Sequence, residues 1–447
     1  MRPNRRSFVK YASLAAAGNA AGLQPFGLMN ALAQGTSDYK ALVCIFLFGG
    51  NDANNMLVPF DASGYAEYAR SRGPLAIAQN QLLPIAATPN FALNPNMGAF
   101  QTLLDTRVAA LVTNVGTLIA PTSRAQYLAG SVVPDSLFSH EDQGAEWQNG
   151  ASSKANQSGW AGRIADNLNA SRNPGASVPM IFSLAGDSLF CNGSSSSPVS
   201  VSGSSFGSAK CHEEDATCSS RQANAQALLK FDSGLSLVQA DNLIATNSYA
   251  YSKSLSDVVR SITPLKTEFP AANGLAAQLG QIAQLIQVRS ALGQSRQIFF
   301  AGIGGFDTHS DQLNGQGGLL AQLGPALAAF NQATQELQVQ NNVTTFTMSD
   351  FSRALRPNSN SGSDHGWGSH HIVMGGAVRG GRLYGTFPSL ALGGPDDAGS
   401  DGRLIPSTSI VQYGSTLAQW FGVAPNQLSS IFPGVGNFPN LNLGFLG

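Results

Sequence analysis

Charge is scarce in this chain. Only 11% of its 447 residues are Asp, Glu, Lys or Arg, and 25 basic against 26 acidic side chains leave a net charge of −1. A protein that grips nucleic acid through its phosphates needs a basic face, and so sparse and balanced a charge set argues against one. Cysteine is scarcer still, with Cys44, Cys191, Cys211 and Cys218 the whole complement. Four thiols at such uneven spacing exclude both a dense disulfide framework and a cysteine-rich zinc module. Past the N-terminal region no run reaches the roughly 18 apolar residues that a membrane-spanning helix requires. Histidine is limited to six residues, so the places where it falls carry information.

What the chain does have begins at its N-terminus. In "NRRSFVKYASLAAAG" the pair Arg5 and Arg6 precedes Ser7, Phe8 and Lys10, an Ala-rich apolar run follows, and "ALA" at 31–33 offers a small-residue cleavage site. That order is expected of a twin-arginine (Tat) export signal, so residues 1–33 read as a signal peptide delivered to the Tat translocase. A mature protein starting near Gln34 is then periplasmic or secreted. In an oxidising compartment Cys211 and Cys218 are expected to close a short disulfide loop, with Cys44 free inside the apolar run "ALVCIFLF". His212 beside Cys211 does not complete a zinc set, because the other ligands at zinc-site spacing are missing.

Five short apolar runs end abruptly in Gly or polar clusters: "ALVCIFLF" (41–48), "VAALVTNV" (108–115), "VPMIFSL" (178–184), "QIFFAGI" (297–303) and "VTTFTM" (343–348). Continuous apolar runs, unlike alternating ones, suit strands buried on both faces of a parallel sheet. Between them lie segments with helical spacing, among them "NMGAFQTLLDT", "LAAQLGQIAQLIQVRSAL" and "LLAQLGPALAAFNQATQELQ". The alternation predicts a single α/β domain over residues 34–447, a doubly wound and mostly parallel sheet with helices on both faces. A Ser/Gly-rich insertion near 190–222 interrupts it.

In such a sheet, ligands bind beyond the carboxyl ends of the strands. After "ALVCIFLF" comes "GGNDANNM" with Asp52, after "QIFFAGI" comes "GGFDTHSDQ" with Asp307 and His309, and after "VTTFTM" comes "SDFSRAL" with Asp350 and Arg353. "SDHGWGSHH" follows with Asp364, His365, His370 and His371. The pairs Gly49–Gly50 and Gly304–Gly305 let the backbone turn sharply at a strand end and point the following acid back over the sheet edge. Carboxylate plus imidazole without paired cysteines is the ligand set of a hydrolytic zinc or manganese centre. The expected assignment gives one ion to Asp52, Asp364 and His365. A second goes to Asp307, His309 and one of His370 and His371, which as neighbours on a strand point to opposite faces.

"SLFSHEDQGAEWQNG" (136–150) supplies a further cluster. Ser139 with Asp142 three residues on makes a capping box, and a serine at a helix N-terminus is also where a nucleophile attacking an anion would sit. His140 beside it is a ligand or a base. Ser123 and Arg124 in "APTSRAQY" form a rival pair, discounted because Ile119 stands where the reactive residue of the sulfatase pattern would be.

The ordered motifs "FLFGGNDANNMLVP", "LFSHEDQ", "GGFDTHSDQ", "SDFSRAL" and "DHGWGSHHIVMGGAVRGG" resemble domain-of-unknown-function family 1501 over nearly the whole mature chain. That family is similar to the alkaline phosphatase and sulfatase superfamily. The resemblance implies an alkaline-phosphatase-like fold. It also implies divalent metal, two ions of zinc or of manganese, magnesium or calcium, bound by Asp52, by Asp307 with His309, and by Asp364 with His365. An exported hydrolase of phosphate or sulfate esters, with Ser139, His140 and Arg353 as its catalytic residues and a small-molecule or polysaccharide ester as its substrate, is one expectation. The other is a protein of the same fold that binds metal or glycan in an envelope or matrix assembly and catalyses nothing.

Overall fold

The computed structural model of the protein describes residues 38–151, 157–201, 216–231 and 234–447. The expected signal peptide, Cys211 and His212 lie outside them. By backbone contacts the chain divides after Tyr39, and Lys40–Gly447 forms one compact unit.

That unit is a mixed α/β layer structure. Strand β1 (Lys40–Leu47) leads into a small antiparallel sheet of β2 (Leu57–Pro59), β3 (Leu83–Pro84) and β4 (Phe91–Leu93). Then come β5 (Ala109–Gly116), β6 (Ile181–Ser183), β7 (Val199–Ser200), β8 (Arg296–Ile303) and β9 (Val343–Ser349). A hairpin of β10 (Arg353–Pro357) and β11 (Ser363–His365) precedes β12 (Ser369–Met374), β13 (Leu383–Tyr384) and β14 (Thr408–Ser409). The main sheet runs β13-β5-β12-β9-β1-β8-β6-β7, with β14 also on β5. All five apolar runs read as strands are strands of this sheet. Every pairing in it is parallel except those of β12, which runs antiparallel to both β5 and β9.

The central strands carry no polar face because both faces are covered. Leu42, Cys44 and Phe46 of β1, Ile298 and Phe300 of β8, and Phe346 and Met348 of β9 pack with Trp160, Ile164, Tyr413 and Leu417 from the helices Trp160–Arg172 and Ile410–Phe421. Helix Gly274–Gln287 packs against β8, with Gln278 bonded in both directions to the Gly302 backbone, and against the long helix Gln312–Glu336. Its buried stripe of Leu275, Leu279, Ile282 and Ile286 keeps the spacing of three and four residues that one helix face requires.

Residues 202–215 of the expected insertion lie outside the described residues, and from Ala216 its end is helical, in the helix Ala216–Leu228. Beyond it comes the helix Ser236–Val259, which exposes Leu237, Leu243 and Ile244. Cys218 is disulfide-bonded. Cys44 is free, as expected, and Cys191 is free beside it; both are buried. No helix among the described residues is long and apolar enough to cross a membrane.

Candidate metal centre

The parallel direction of β1, β8 and β9 brings their carboxyl ends to one rim, and the antiparallel β12 brings its amino end there too. Four polar segments meet at that rim. Gly49 and Gly50 follow β1 with φ of +111° and +80°. A Cβ on Gly49 would stand 2.4 Å from the Asp307 backbone nitrogen, so only glycine lets the two loops come this close. The Gly49 N–H donates to Asp350 Oδ2 at 2.9 Å, tying the loop after β1 to the loop after β9.

Asp307, His140 and His365 converge on one point. His140 Nε2 lies 3.1 Å from His365 Nε2 and 3.3 Å from Asp307 Oδ1, and His365 Nε2 lies 3.5 Å from the same oxygen. His309 Nε2 joins the His365–Asp307 edge, 2.9 Å from the one and 3.1 Å from the other. Among the described residues, His140, Asp307 and His365 are the group whose ligand atoms all lie within 4.8 Å of one another.

The outer nitrogens of these rings say which atoms face inward. His140 Nδ1 is 2.8 Å from Asp350 Oδ2, and His365 Nδ1 is 2.6 Å from the Phe138 carbonyl oxygen. A carboxylate and a carbonyl can only accept, so each Nδ1 carries a proton, and in the neutral ring each Nε2 presents a lone pair. Two lone pairs 3.1 Å apart beside a carboxylate oxygen repel unless a proton or a metal ion lies between them. Tetrahedral bonds of 2.0–2.1 Å place ligand atoms about 3.3 Å apart, and the three edges found here straddle that value. Imidazoles held by a carboxylate or carbonyl at the far nitrogen are the usual outer support of a metal ligand. The donor set therefore fits a divalent cation such as zinc, with three protein donors and His309 Nε2 close to two of them.

Charge acts differently on the members of the cluster, and at His140 a proton competes with a metal ion for Nε2. The Asp350 hydrogen bond, followed by the charges of Asp350 and Asp307, raises the His140 pKa despite partial burial. Burial lowers that of His365, and the neighbouring cationic groups add to this. Burial alone would raise Asp307, but the Arg353 hydrogen bond and charge outweigh it and hold the carboxyl below its usual range. Phe138, whose carbonyl orients His365, sits at φ +73°, and Ser136 at +47°. Such left-handed geometry in bulky residues is costly and is kept where the surroundings demand it.

Several expected ligands lie elsewhere. His370 and His371 are in β12, where both faces of the sheet are covered: His370 Nδ1 accepts the Asn114 N–H, and His371 stacks near Trp147 and Tyr413. Among the described residues no hydrogen bond, ion pair or ring contact joins either to the cluster. Burial pushes each pKa down to about 3, so both stay neutral. Asp52 turns inward with the short helix Ala53–Met56 and is fully buried, its Oδ2 engaged by Arg72 and Gln312. Asp364 stays at the rim, 3.4 Å from His309 Nδ1.

Arg353, expected to be catalytic, is buried. It bonds Asp307 Oδ1 at 2.7 Å and the Ser363 carbonyl, so it positions Asp307 and does not face solvent. Ser139 caps the helix His140–Asn149, accepting the Asp142 N–H at 3.4 Å. Ser123 makes a capping box with Gln126, and Arg124 holds the Asp397 carbonyl. Asp350 and the Phe138 carbonyl are the participants that sequence reading left without a role. The position of Asp350 directly after β9 was the available signal for the first; a backbone carbonyl leaves none.

The family model described as "Protein of unknown function (DUF1501)" matches residues 39–398. The chain belongs to the DUF1501 family. No curated protein matches it. Among solved structures, "Crystal structure of Ps i-CgsB" is similar to this DUF1501 protein at TM-score 0.36 and 10% identity, covering 90% of this chain and 77% of that one. "Crystal structure of Ps i-CgsB in complex with k-i-k-neocarrahexaose" has TM-score 0.33 and 10% identity over the same shares. Likeness at that level decides nothing about activity.

Proposed function

We propose that this DUF1501 protein is an exported, metal-dependent hydrolase of phosphate or sulfate esters, built on an alkaline-phosphatase-like sheet. The observation that carries the reading is the His140–Asp307–His365 triangle with its supported outer nitrogens. A divalent ion there would polarise the ester and activate its attacker. His309 and Asp364 are the donors left for a second ion.

In this reading His140 is a ligand oriented by Asp350, Arg353 keeps Asp307 ionised and in place, and Ser139 is the nucleophile. Ser139 stands at the N-terminus of a ten-residue helix, where the unpaired N–H groups and the helix dipole favour developing negative charge. Export through Tat, in the folded and metal-loaded state, rests on Arg5 and Arg6 and the apolar run behind them. A non-catalytic role in binding metal or glycan has one specific observation in its favour: the Arg353 guanidinium is spent on Asp307 and backbone carbonyls, which leaves no cationic side chain of the cluster free to hold an anion.

Metal analysis of the exported protein, followed by a panel of aryl phosphates, phosphodiesters and aryl sulfates, tests the proposal. Stoichiometric zinc or manganese with metal-dependent turnover of one ester class supports it. Protein that holds no metal after exposure to each ion would sink it, and bound metal without turnover on any ester would leave the non-catalytic reading standing.

A further inference from the structure

Beside the triangle, on the side of His140 and Asp350, opens a cleft of about 380 Å³. Its charged lining is mostly of one sign: Glu141, Asp187 and Asp350 contribute carboxylates against the single imidazole of His140, and among the described residues no Lys or Arg borders it. Phe48 stands at its wall, 37% exposed. The ring is not free to move, since Phe46 packs at 4.6 Å and Phe300 meets it edge-on at 6.3 Å. The helix His140–Asn149 also lines it, with the small residues Gly144 and Ala145 and the amide of Gln148.

We infer that this cleft binds the alcohol part of the ester, and that this part is an uncharged or amine-bearing sugar ring, not an anionic one. The inference rests on the hydrolase reading for what lies next door, and on the cleft alone for its ligand. A fixed, exposed aromatic face offers a platform for the apolar C–H face of a sugar ring, and its quadrupole also attracts an ammonium group. Carboxylates accept hydrogen bonds from hydroxyls at the ring edge and pair with an amine. The same carboxylates repel a sulfate, phosphate or uronate placed among them, because of the three His140 pairs with Asp350 alone and leaves Glu141 and Asp187 without a cation in the lining. The ester's own anion is thereby directed away from the cleft and toward the triangle, where the positive charge of a bound ion would be. His140 borders both compartments and marks the boundary between the two halves of the substrate.

The test uses the full exported protein, zinc-loaded and again after chelation, with three trisaccharide probes in titration calorimetry: glucosamine trimer, cellotriose and trigalacturonate. The expected order is glucosamine trimer first, cellotriose next, and trigalacturonate at least tenfold weaker than either. Glu141→Gln with Asp187→Asn should bring the amine trimer down to the neutral one. Phe48→Leu, which keeps the apolar volume but removes the ring face, should weaken the first two probes tenfold or more. Trigalacturonate binding tightest, all three affinities unchanged in these variants, or no binding at millimolar concentration would overturn the inference. Saccharide binding that survives chelation tests the cleft by itself, whereas failure to retain zinc counts against the hydrolase reading and leaves the cleft result intact.

Discussion

His365 and the pair His370–His371 are separated by four residues and have opposite fates. His365 ends β11, pairs in register with Arg353 and turns its Nε2 toward three other side chains at the rim. His370 and His371 sit in β12, between β5 and β9, where the sheet is covered on both faces. Burial lowers the pKa of all three, yet only His365 keeps a lone pair aimed at other donors. Histidine density in a sequence therefore measures the chance of a metal site, and the path of the backbone between the histidines decides which of them can belong to it.

The largest break in that comparison is the loss of metal. His365→Ala is expected to abolish stoichiometric zinc and the part of the thermal stability that depends on it, by removing one of three converging donors. His371→Ala should leave metal content intact and cost about 3 kcal/mol through the cavity opened under Trp147 and Tyr413, read by urea unfolding. Equal metal loss in both variants would erase the distinction.

Acid should sharpen it. His370 and His371 have folded pKa values lowered from 6.5 to about 3. Between those values the unfolded chain binds more protons than the folded one, so stability falls as pH drops through that window. From pH 7.5 to pH 5 each costs about 2 kcal/mol. Glu146 acts in the opposite sense, because burial raises its folded pKa from 4.5 to about 8 and its contribution is lost as pH rises between those values. The comparison is therefore differential: in metal-free protein, His371→Phe should remove about 2 kcal/mol of the acid-induced loss. An unchanged pH profile would mean that His371 is not buried neutral.

Two smaller effects probe the rim alone. Asp350→Asn keeps the shape of the group that orients His140 but not its charge, and should weaken zinc binding by about 10- to 100-fold in a competition against a chelator. Ser139→Ala should retain zinc and lose about 1 kcal/mol of stability as a helix cap, with turnover abolished if the proposed nucleophile is right. Retained turnover would remove Ser139 from the mechanism and leave the proposed metal centre untouched.

The strands that build the rim were legible because continuous β-branched and aromatic runs between Gly-rich turns have few other uses. "QIFFAGI" and "VTTFTM" appear as β8 and β9 within a residue or two. The helix Ser236–Val259 was not legible. Its Leu237, Leu243 and Ile244 lie exposed, so its apolar residues are not confined to the buried face by which a surface helix announces itself. Asp52 is the acid at the end of β1 that the sequence predicts, and its Oδ2 is taken by Arg72 and Gln312. Arg72, twenty residues on in the helix Ala62–Arg72, reaches it as a buried partner, and no local pattern signals that pairing.

By itself the sequence determined that the chain alternates strands and helices, that its acids and histidines cluster where strands end, and that glycine stands where the backbone must turn with positive φ. These are local properties, set by side-chain periodicity and by steric limits on the backbone. Only the tertiary structure decided which of the clustered groups meet. Running β12 antiparallel between β9 and β5 buries His370 and His371, and pairing β11 with β10 holds His365 at the rim beside Arg353. His140 arrives there from a separate helix, and Asp350 and the Phe138 carbonyl fix the direction of its ring and that of His365. Donors about 3 Å apart in space and up to 225 positions apart in the chain are joined by strand order, which no short stretch of sequence encodes.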